Sequence, residues 1–379
     1  MNNLDAFICL NLLSGIGPVK VKSLIEVFGS AREIFNQSFN SLNSVDGIGP
    51  KLASAICDGP AHSNPEEERA LAEKAGAKII SQTCPEYPPL LKEIVDPPLV
   101  LYVRGNADVL QDGHRSIAMV GSRHPSRYGI HMAETIACSA AAAEWITVSG
   151  LALGVDSASH RATIEAGGKT IAVLGSGLGR LYPQENLKLA RDIIASGGAV
   201  ISEFPMTFPP DRRSFPMRNR IISGLCCSAV VVEAGLKSGT LITAGQAADQ
   251  GRTVCAVPGR ADTPHSRGCH SLIRDGATIL ESFSDVLEDC NSLMLFDMNS
   301  KNGFSALSQK KVASPVTAGL QLTETEQRIL QLLSLGDASV DHLIDELQLA
   351  VGKVFSTLVE METKKLVKPL PGRHYTLWA

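Results

Sequence analysis

The chain has 379 residues and a formal net charge of −4, and 44% of its residues are hydrophobic and 20% charged. This composition is ordinary for a soluble globular protein, and the length predicts two or three domains. No apolar run approaches the roughly 20 residues that span a bilayer, and the N-terminus lacks the pattern of a signal peptide, so we expect no membrane contact. Nine scattered cysteines without a CxxC pair predict reduced thiols in a cytoplasmic protein.

Residues 1–60 contain two related phrases, "LSGIGPVKVKSLIEVFG" and "VDGIGPKLASAICDG". In each phrase the glycines permit a tight turn, the proline suits the first position of a helix, and the free N–H groups of the helix start can face a phosphate. The pair resembles the SAM-like or helix-hairpin-helix module, which often contacts nucleic-acid backbone. The alternative is a helical bundle with a purely structural role.

Residues 61–110 are rich in proline and are interpreted as a connector that packs on the next domain. Residues 111–285 contain seven short apolar stretches separated by helical ones: "SIAMV", "WITVS", "KTIAVL", "AVIS", "SAVVV", "TVCAV" and "ATIL". Unalternated apolar strands with intervening helices predict an α/β fold, an extended Rossmann-like parallel sheet covered on both faces. Function in such sheets lies in the loops after the carboxyl ends of the strands.

Residues 286–320 begin acidic and then lose any pattern, which predicts a linker. Residues 321–379 open with a Thr cap and a glutamate in "TETEQRILQLL", continue with two helical stretches and end with two short strand candidates. Three helices closed by a hairpin predict a winged-helix domain. The helix expected to be its recognition helix carries only Lys353 before Lys364 and Lys365, so DNA reading and protein contact both stay open.

Three loops that follow strands are rich in small residues: "VGSRHPSRYG", "SGLALGVDSASH" and "LGSGLGRLYPQEN". Small residues let backbone N–H groups approach a phosphate. The third loop has Gly175, Gly177 and Gly179, but Arg180 stands where a GxGxxG fingerprint needs glycine. Glu203 could mimic the ribose-binding acid of that fingerprint. The match is incomplete, and we expect no cofactor.

Other polar residues in the loops do not form a recognisable catalytic or metal site. Asp156 is more typical of a helix cap than of acid-base chemistry. His265, Cys269 and His270 lie close together in "HSRGCH", but further ligands with suitable spacing are lacking. Ser238 has no histidine nearby in sequence to activate it. We therefore expect binding and not turnover, and no metal.

The segment "PPDRRSFPMRNRII" carries four arginines against one acid: Arg212, Arg213, Arg218, Arg220 and Asp211. Pro216 suits the first residue of a helix, and Met217, Ile221 and Leu225 then fall on one face that would anchor this helix to the sheet. Phe215, an aromatic ring that can stack on a base, is flanked by cations for phosphates, which is what binding of a single strand requires. The alternative is a solvated arginine cluster.

Together these phrases resemble the DNA-processing protein A family (DprA, also called Smf). Its motifs occur in order: "GSR" at 121–123, "SGLALGVD" at 149–156, then "TIAVLGSGL", "ISEFP", "FPMRNRIISGL", "VVEA", "SGTLITA" and "GCHSLIRDGA". The match spans about residues 116–280. The helical region before it and the winged helix after it both agree with the longer members.

The resemblance implies a homodimeric single-stranded-DNA-binding recombination mediator of natural transformation, which protects incoming DNA and loads the RecA recombinase. It places the DNA site on eight residues: Gly121, Ser122, Arg123, Arg212, Phe215, Arg218, Asn219 and Arg220. Gln184 stands where relatives can have lysine, which puts one phosphate contact in doubt. Residues 268–279 look like the family's dimer-forming region. For Arg123 alone, a buried structural ion pair is the alternative.

The competing interpretation is an enzyme similar to the LOG-type nucleotide phosphoribohydrolases, which share a Rossmann-like sheet. These enzymes use a glycine-rich loop with a glutamate to cleave a glycosidic bond. "VVEAGLKSGTLITA" is similar to such a loop, but Glu233 precedes the glycines instead of following them.

Overall fold

The computed structural model describes residues 1–298 and, in the C-terminal part of the chain, residues 323–333, 338–347, 353–354, 357–358, 361–362, 364, 366–370 and 374–377. The chain divides near residue 301 into two compact units. No helix among the described residues has both the length and the apolar character that crossing a membrane requires.

Five helices open the first unit: α1 (Asn3–Leu12), α2 (Pro18–Phe28), α3 (Ala31–Ile34), α4 (Phe39–Asn43) and α5 (Pro50–His62). Both GIGP phrases start a helix at their proline, as predicted, and Gly15 and Gly47 have positive φ in the preceding turns. Phe7 and Leu24 belong to the same buried apolar cluster as Val100 of the sheet. The N-terminal helices therefore share a core with the sheet.

Residues 61–110 pack on the core and also extend its sheet. They form α6 (Pro65–Lys74), β1 (Ala77–Ser81), α7 (Pro89–Lys92) and β2 (Val100–Gly105). β1 pairs antiparallel with β2, and β2 pairs antiparallel with the next strand inward. The stretches "AKIIS" and "VLYVRG" carry the β-branched and aromatic residues typical of strands. Neighbouring prolines hid this signal in the sequence.

Seven parallel strands form the rest of the sheet: β3 (Ser116–Val120), β4 (Ile146–Ser149), β5 (Thr170–Val173), β6 (Ala199–Ser202), β7 (Ser228–Val231), β8 (Thr253–Ala256) and β9 (Thr278–Ile279). The strand order is β1-β2-β6-β5-β4-β3-β7-β8-β9. The predicted parallel sheet is therefore confirmed for these seven strands, while β1 and β2 make the whole sheet mixed.

Helices cover both faces of this sheet: α8 (Arg127–Ala142), α9 (Val155–Glu165), α10 (Leu187–Ala195), α11 (Ser214–Gly224), α12 (Thr240–Asp249) and α13 (Arg267–Arg274). Neighbouring residues of β3 point to opposite faces, as in any strand. Ala118 packs in one buried cluster with Ile221 of α11, and Met119 packs in another with Ala133 of α8. Burial on both faces is the reason why the strands are apolar throughout.

Helix α14 (Phe283–Met298) corrects the prediction that a linker begins at residue 286. Phe283, Val286 and Cys290 are buried in the cluster that contains Trp145, and the Phe283 ring meets Trp145 edge-on with centroids 5.4 Å apart. The spacing of these three residues is that of one helix face. The remainder of the predicted linker, residues 299–320, lies outside the described residues.

The second unit contains α15 (Glu324–Leu333), β10 (Ala338–Ser339), α16 (Val340–Leu347), β11 (Val367–Leu370) and β12 (His374–Leu377). Its strands are antiparallel in the order β10-β12-β11. Thr323 and Glu326 form the predicted cap reciprocally, each accepting from the other's backbone N–H at 3.3 and 2.7 Å. Lys364 bonds the buried Glu326 at 2.6 Å. Lys365 lies outside the described residues.

Candidate functional site

A groove with a volume of about 860 Å³ opens at the carboxyl edge of the parallel strands. It lies beside β3, which has β4 on one side and β7 on the other and is therefore the switch point of the strand order. Loops leave neighbouring strands in different directions at such a point, and a crevice forms between them. Gly121 after β3 and Gly239 before α12 line the groove.

Seven of the eight predicted site residues line this groove: Gly121, Ser122, Arg123, Arg212, Phe215, Arg218 and Asn219. They come from the loop after β3, the loop before α11 and the first two turns of α11. The sheet thus brings together segments that are distant in the chain. The eighth residue, Arg220, does not line the groove.

Exposed cations and aromatic rings form the groove rim, which we define as Arg123, Arg212, Phe215 and Tyr182. Both arginines are exposed, and neither forms an ion pair with a residue that the structure describes. The Arg123 Cζ atom lies 5.7 Å from the centroid of the half-buried Phe215 ring, within the range of a cation–π contact. The alternative of a buried ion pair for Arg123 is therefore not what the structure shows.

Helix α11 begins at Ser214, two residues before the Pro216 that was expected to open it. The expected anchor Met217 is 54% exposed, whereas Ile221 and Ile222 are buried. The helix packs against both the sheet and α12, so its buried face is centred on these two isoleucines. Because α11 is oriented in this way, Arg218 and Arg220 are buried below the groove surface.

The loop between β6 and α11 carries one of the rim arginines and is held from two sides. The N–H groups of Gly177 and Gly179 donate to the carbonyl oxygens of Phe208 and Met206 at 3.0 and 2.9 Å. The Met206 N–H donates to the buried carboxylate of Glu68 in α6 at 2.7 Å. Two of the three glycine amides of the incomplete fingerprint are therefore engaged within the chain.

Arg218 lies in the floor of the groove and is only 4% exposed. Its Nη1 donates to the carbonyl oxygens of Gly150, at 2.9 Å, and of Val173, and its Nε donates to Asn219 Oδ1 at 3.2 Å. Burial lowers the pKa of Arg218 to about 10, and the Asp156 carboxylate opposes this shift. The guanidinium stays protonated at neutral pH, so it adds positive potential from below while it links the ends of β4 and β5.

Asp156 stabilises a loop and does not act as the cap that its position suggests. Its Oδ2 accepts from the N–H groups of Gly150 and Ala152 at 3.1 and 3.2 Å, both in the loop before α9. Burial raises the pKa of this carboxyl, although Arg218 and the two N–H groups oppose the shift. Asp156 therefore fixes the loop that positions Arg218.

Arg220 is the one predicted site residue that does not line the groove. Its Nη1 and Nη2 donate to the two carboxylate oxygens of Glu203 at 2.6 Å each, and its Nε lies 2.9 Å from Asp96 Oδ2. Burial lowers the pKa of Arg220, but the Glu203 carboxylate and, to a smaller extent, Asp96 act in the opposite direction, and the pKa is raised overall. The guanidinium thus ties α11 to the end of β6.

We call the buried polar residues in and below the groove floor the layer beneath the groove: Asp156, His160, Glu203, Arg218 and Arg220.

Glu233, the residue of the hydrolase interpretation, is buried and does not line the groove. Its carboxylate accepts from the N–H and the hydroxyl of Ser126 at 3.0 and 2.5 Å, and His265 Nδ1 lies 3.7 Å away. A carboxylate at the first turn of α8 is favoured by the positive end of that helix. Glu233 therefore has a structural role here.

The "HSRGCH" segment forms no metal centre. His270 Nε2 bonds the backbone of Gly259 at 2.9 Å, and Cys269 is buried in the apolar core. Within the described part of the chain, no group of three His, Cys, Asp or Glu residues is arranged to hold a metal ion.

Sequence reasoning missed Tyr182 and the wall formed by the start of α12. The Tyr182 ring is 46% exposed, and its centroid lies 5.9 Å from that of Phe215. Ser238 and Thr240 line the opposite wall, where Thr240 Oγ1 donates to the Gly121 carbonyl oxygen at 3.1 Å. Both segments follow strands of the sheet, and this position is the signal in the sequence that points to them.

Three family models match the chain. DNA recombination-mediator protein A matches residues 78–291, a SAM-like helix-hairpin-helix tandem matches residues 10–60, and the DprA winged helix domain matches residues 313–373. The first model alone covers more than half of the chain. A Rossmann-like core between these two flanking modules defines a DNA-processing protein.

Individual proteins agree with this result. Protein Smf of Synechocystis is 32% identical over 96% of either chain, and DNA processing protein DprA of Bacillus subtilis is 43% identical over 59% of this chain and 76% of its own. The X-ray structure of DNA processing protein A from Streptococcus pneumoniae has a TM-score of 0.66 at 32% identity and covers 76% of this chain and 98% of its own. The chain belongs to the DNA recombination-mediator protein A family, also called DprA or Smf.

Proposed function

We propose that this chain is a non-enzymatic recombination mediator that binds single-stranded DNA in the groove. One observation carries the proposal: two exposed arginines without ion-pair partners among the described residues flank an aromatic ring at the switch point of the sheet. A structure of DNA processing protein A from Helicobacter pylori, described for its single-stranded DNA binding mode, has a TM-score of 0.51 at 28% identity over 58% of this chain and 96% of its own. The single-stranded DNA binding described for that protein supports the assignment.

Arg123 and Arg212 neutralise phosphates, and Phe215 stacks against a base. Release of counterions from the neutralised phosphates makes the affinity fall steeply with salt. Every base has a π-face, so binding depends little on sequence. Gly121 and Ser122 place backbone close to the strand, while Arg218 adds positive potential from the floor.

The wider role follows the family: a cytoplasmic homodimer that protects incoming DNA during natural transformation and loads the RecA recombinase. Residues 268–279 are the proposed dimer surface. Leu272 and Ile273 of α13 are partly buried at the edge of the apolar core, and Ile279 of the edge strand β9 is 50% exposed. Apolar side chains at an open sheet edge favour a protein contact.

Fluorescence anisotropy with single- and double-stranded oligonucleotides over a salt series tests the site. Phe215→Ala should weaken single-strand binding by about 1–3 kcal/mol because one stacking surface is lost. Arg123→Ala should weaken it as well. Phe39→Ala, which removes an exposed ring of α4 outside the groove, should leave affinity unchanged. Wild-type affinity in both groove variants would show that the site assignment is wrong.

The absence of turnover has its own test. The purified protein is incubated with nucleoside monophosphates, and free base is measured. We expect none, because the Glu233 carboxylate is engaged by Ser126 and lies outside the groove. Release of base that stops on Glu233→Gln would favour the hydrolase.

A further inference from the structure

Two aromatic rings, not one, stand at the edge of the groove. Tyr182 and Phe215 both line it, with ring centroids 5.9 Å apart and ring planes inclined by 48°. The sequence places them in different motifs, "LGSGLGRLYPQEN" and "FPMRNRIISGL". The structure therefore raises the question of which ring a base meets.

The Phe215 ring is partly covered by the protein itself. It packs so closely on Gly175 that a Cβ there would lie 2.6 Å from Phe215 Cδ1. The Arg123 guanidinium carbon lies 5.7 Å from the ring centroid. Phe215 is half-buried, whereas Tyr182 is 46% exposed. Of the two rings, Tyr182 presents more open surface.

The segment around Tyr182 is anchored, so its ring is already in position. Pro183 is buried directly after it. Asn186, which is buried as well, donates from Nδ2 to the carbonyl oxygen of Leu151 at 2.8 Å and to Ser157 Oγ at 2.9 Å. The Tyr182 hydroxyl forms no hydrogen bond with any residue that the structure describes. A segment that is already anchored loses little backbone entropy on binding, and what the Tyr182 ring offers is its face.

The inclination of the rings decides how many bases they can take. One flat base cannot lie parallel to two planes that differ by 48°, but two successive bases can each lie on one ring. The groove volume of about 860 Å³ lies near the upper end of the roughly 300–1,000 Å³ found for small-ligand pockets, so it has room for more than one nucleotide. A single strand can splay its bases in this way, whereas stacked duplex bases cannot.

We propose that Tyr182 forms a second base subsite beside Phe215, so that the groove holds two successive nucleobases of one strand, one on each ring. This inference rests on the proposed function and deepens it. Tyr182 contacts the base directly, while Arg123 and Arg212 hold the phosphates on either side.

The test is anisotropy with a short oligothymidylate and three variants of Tyr182. Tyr182→Ala and Tyr182→Leu should each weaken binding by about 5- to 150-fold, which corresponds to the loss of one stacked base. Tyr182→Phe keeps the face and should bind within about twofold of wild type. Leucine keeps apolar bulk without a π-face, so wild-type affinity in Tyr182→Leu would overturn the proposal. Thermal unfolding checks that the variants fold, as expected for an exposed side chain.

A second oligonucleotide of the same length, with an abasic residue at every position, separates stacking from a general weakening. On this backbone-only ligand Tyr182→Ala should bind like wild type, whereas Arg212→Ala should still bind more weakly. An equal loss on both ligands in Tyr182→Ala would overturn the proposal.

The same series separates this inference from the proposed function. If Phe215→Ala and Arg123→Ala weaken binding and Tyr182→Ala does not, the groove binds DNA and only the second subsite is wrong. If none of the three variants changes affinity, the proposed function itself fails.

Discussion

The groove rim and the layer beneath it both contain arginines, but in different surroundings. Arg212 at the rim and Arg220 below it are eight residues apart in one segment. Arg212 is exposed and has no ion pair with a described residue, whereas Arg220 is held by the Glu203 carboxylate. Burial decides the role of each arginine: the exposed cation is available to a ligand, and the buried one holds α11 under the ligand site.

Replacing Arg220 should have the largest effect that this difference predicts. Arg220→Ala should lower the free energy of unfolding by about 3–5 kcal/mol, because the buried Glu203 carboxylate then loses its partner. Arg212→Ala should leave stability nearly unchanged, as for most exposed residues. Urea unfolding of the first unit can be followed by the fluorescence of the buried Trp145 in a Trp378→Phe background.

Two outcomes would contradict the division into rim and layer. Arg220→Ala with wild-type stability would mean that the Glu203 pair does not hold the helix. Arg220→Ala with wild-type stability and weaker DNA binding would return Arg220 to the phosphate contacts that the sequence suggested.

The sequence was sufficient for the parallel part of the fold. The seven strands β3 to β9 were predicted because their apolar runs are uninterrupted and separated by helices. The strands β1 and β2 were missed because the prolines around them suggest a connector. The apolar face of α14 was missed for a different reason: its residues are spaced along an otherwise polar stretch.

The sequence predicted which residues form the candidate site, but not how deeply each of them is buried. Loops after parallel strands meet at one edge, so the "GSR" loop and "FPMRNR" were expected together, and the family resemblance agreed. A helix turns by about 100° per residue, so a core face centred on Ile221 and Ile222, instead of the expected face of Met217, Ile221 and Leu225, is enough to misplace Arg218. Most partners of Arg218 and Arg220 lie far away in sequence, at the carboxyl ends of β4, β5 and β6 or in the loop of Asp96, which no local pattern of the sequence reveals.

His160 makes the stability of the layer beneath the groove depend on pH. It is completely buried, and its Nδ1 lies 2.6 Å from Thr170 Oγ1, which itself donates to the Thr147 carbonyl oxygen at 2.6 Å. Burial, with a smaller contribution from Arg218, lowers the pKa of His160 to about 3. The unfolded chain binds a proton below its ordinary pKa of about 6.5, while the folded chain does not, so stability is lost as the pH falls from 6.5 towards 3.

Between pH 7 and pH 5 this histidine should lower the free energy of unfolding by about 2 kcal/mol. His160→Asn should remove that part of the pH dependence, whatever its effect on stability at pH 7. His131→Asn is the matched control, because His131 is exposed on α8. The measurement is the same urea titration at both pH values. An unchanged pH dependence in His160→Asn would show that this side chain is not held neutral.

The smallest expected effect concerns the rim and is a change in the salt dependence of DNA binding. Each phosphate contact on a single strand contributes about 0.7 to the slope of log K against log salt concentration. Arg212→Ala should therefore reduce the magnitude of that slope by about 0.7, with only a modest loss of affinity at low salt. Arg213 is the matched control, because its side chain is 90% exposed, lies outside the groove and pairs with Asp211 at 3.3 Å. An equal change in Arg213→Ala would mean that the slope reports the net charge of the segment. A change confined to Arg212→Ala would tie the slope to a phosphate at the rim.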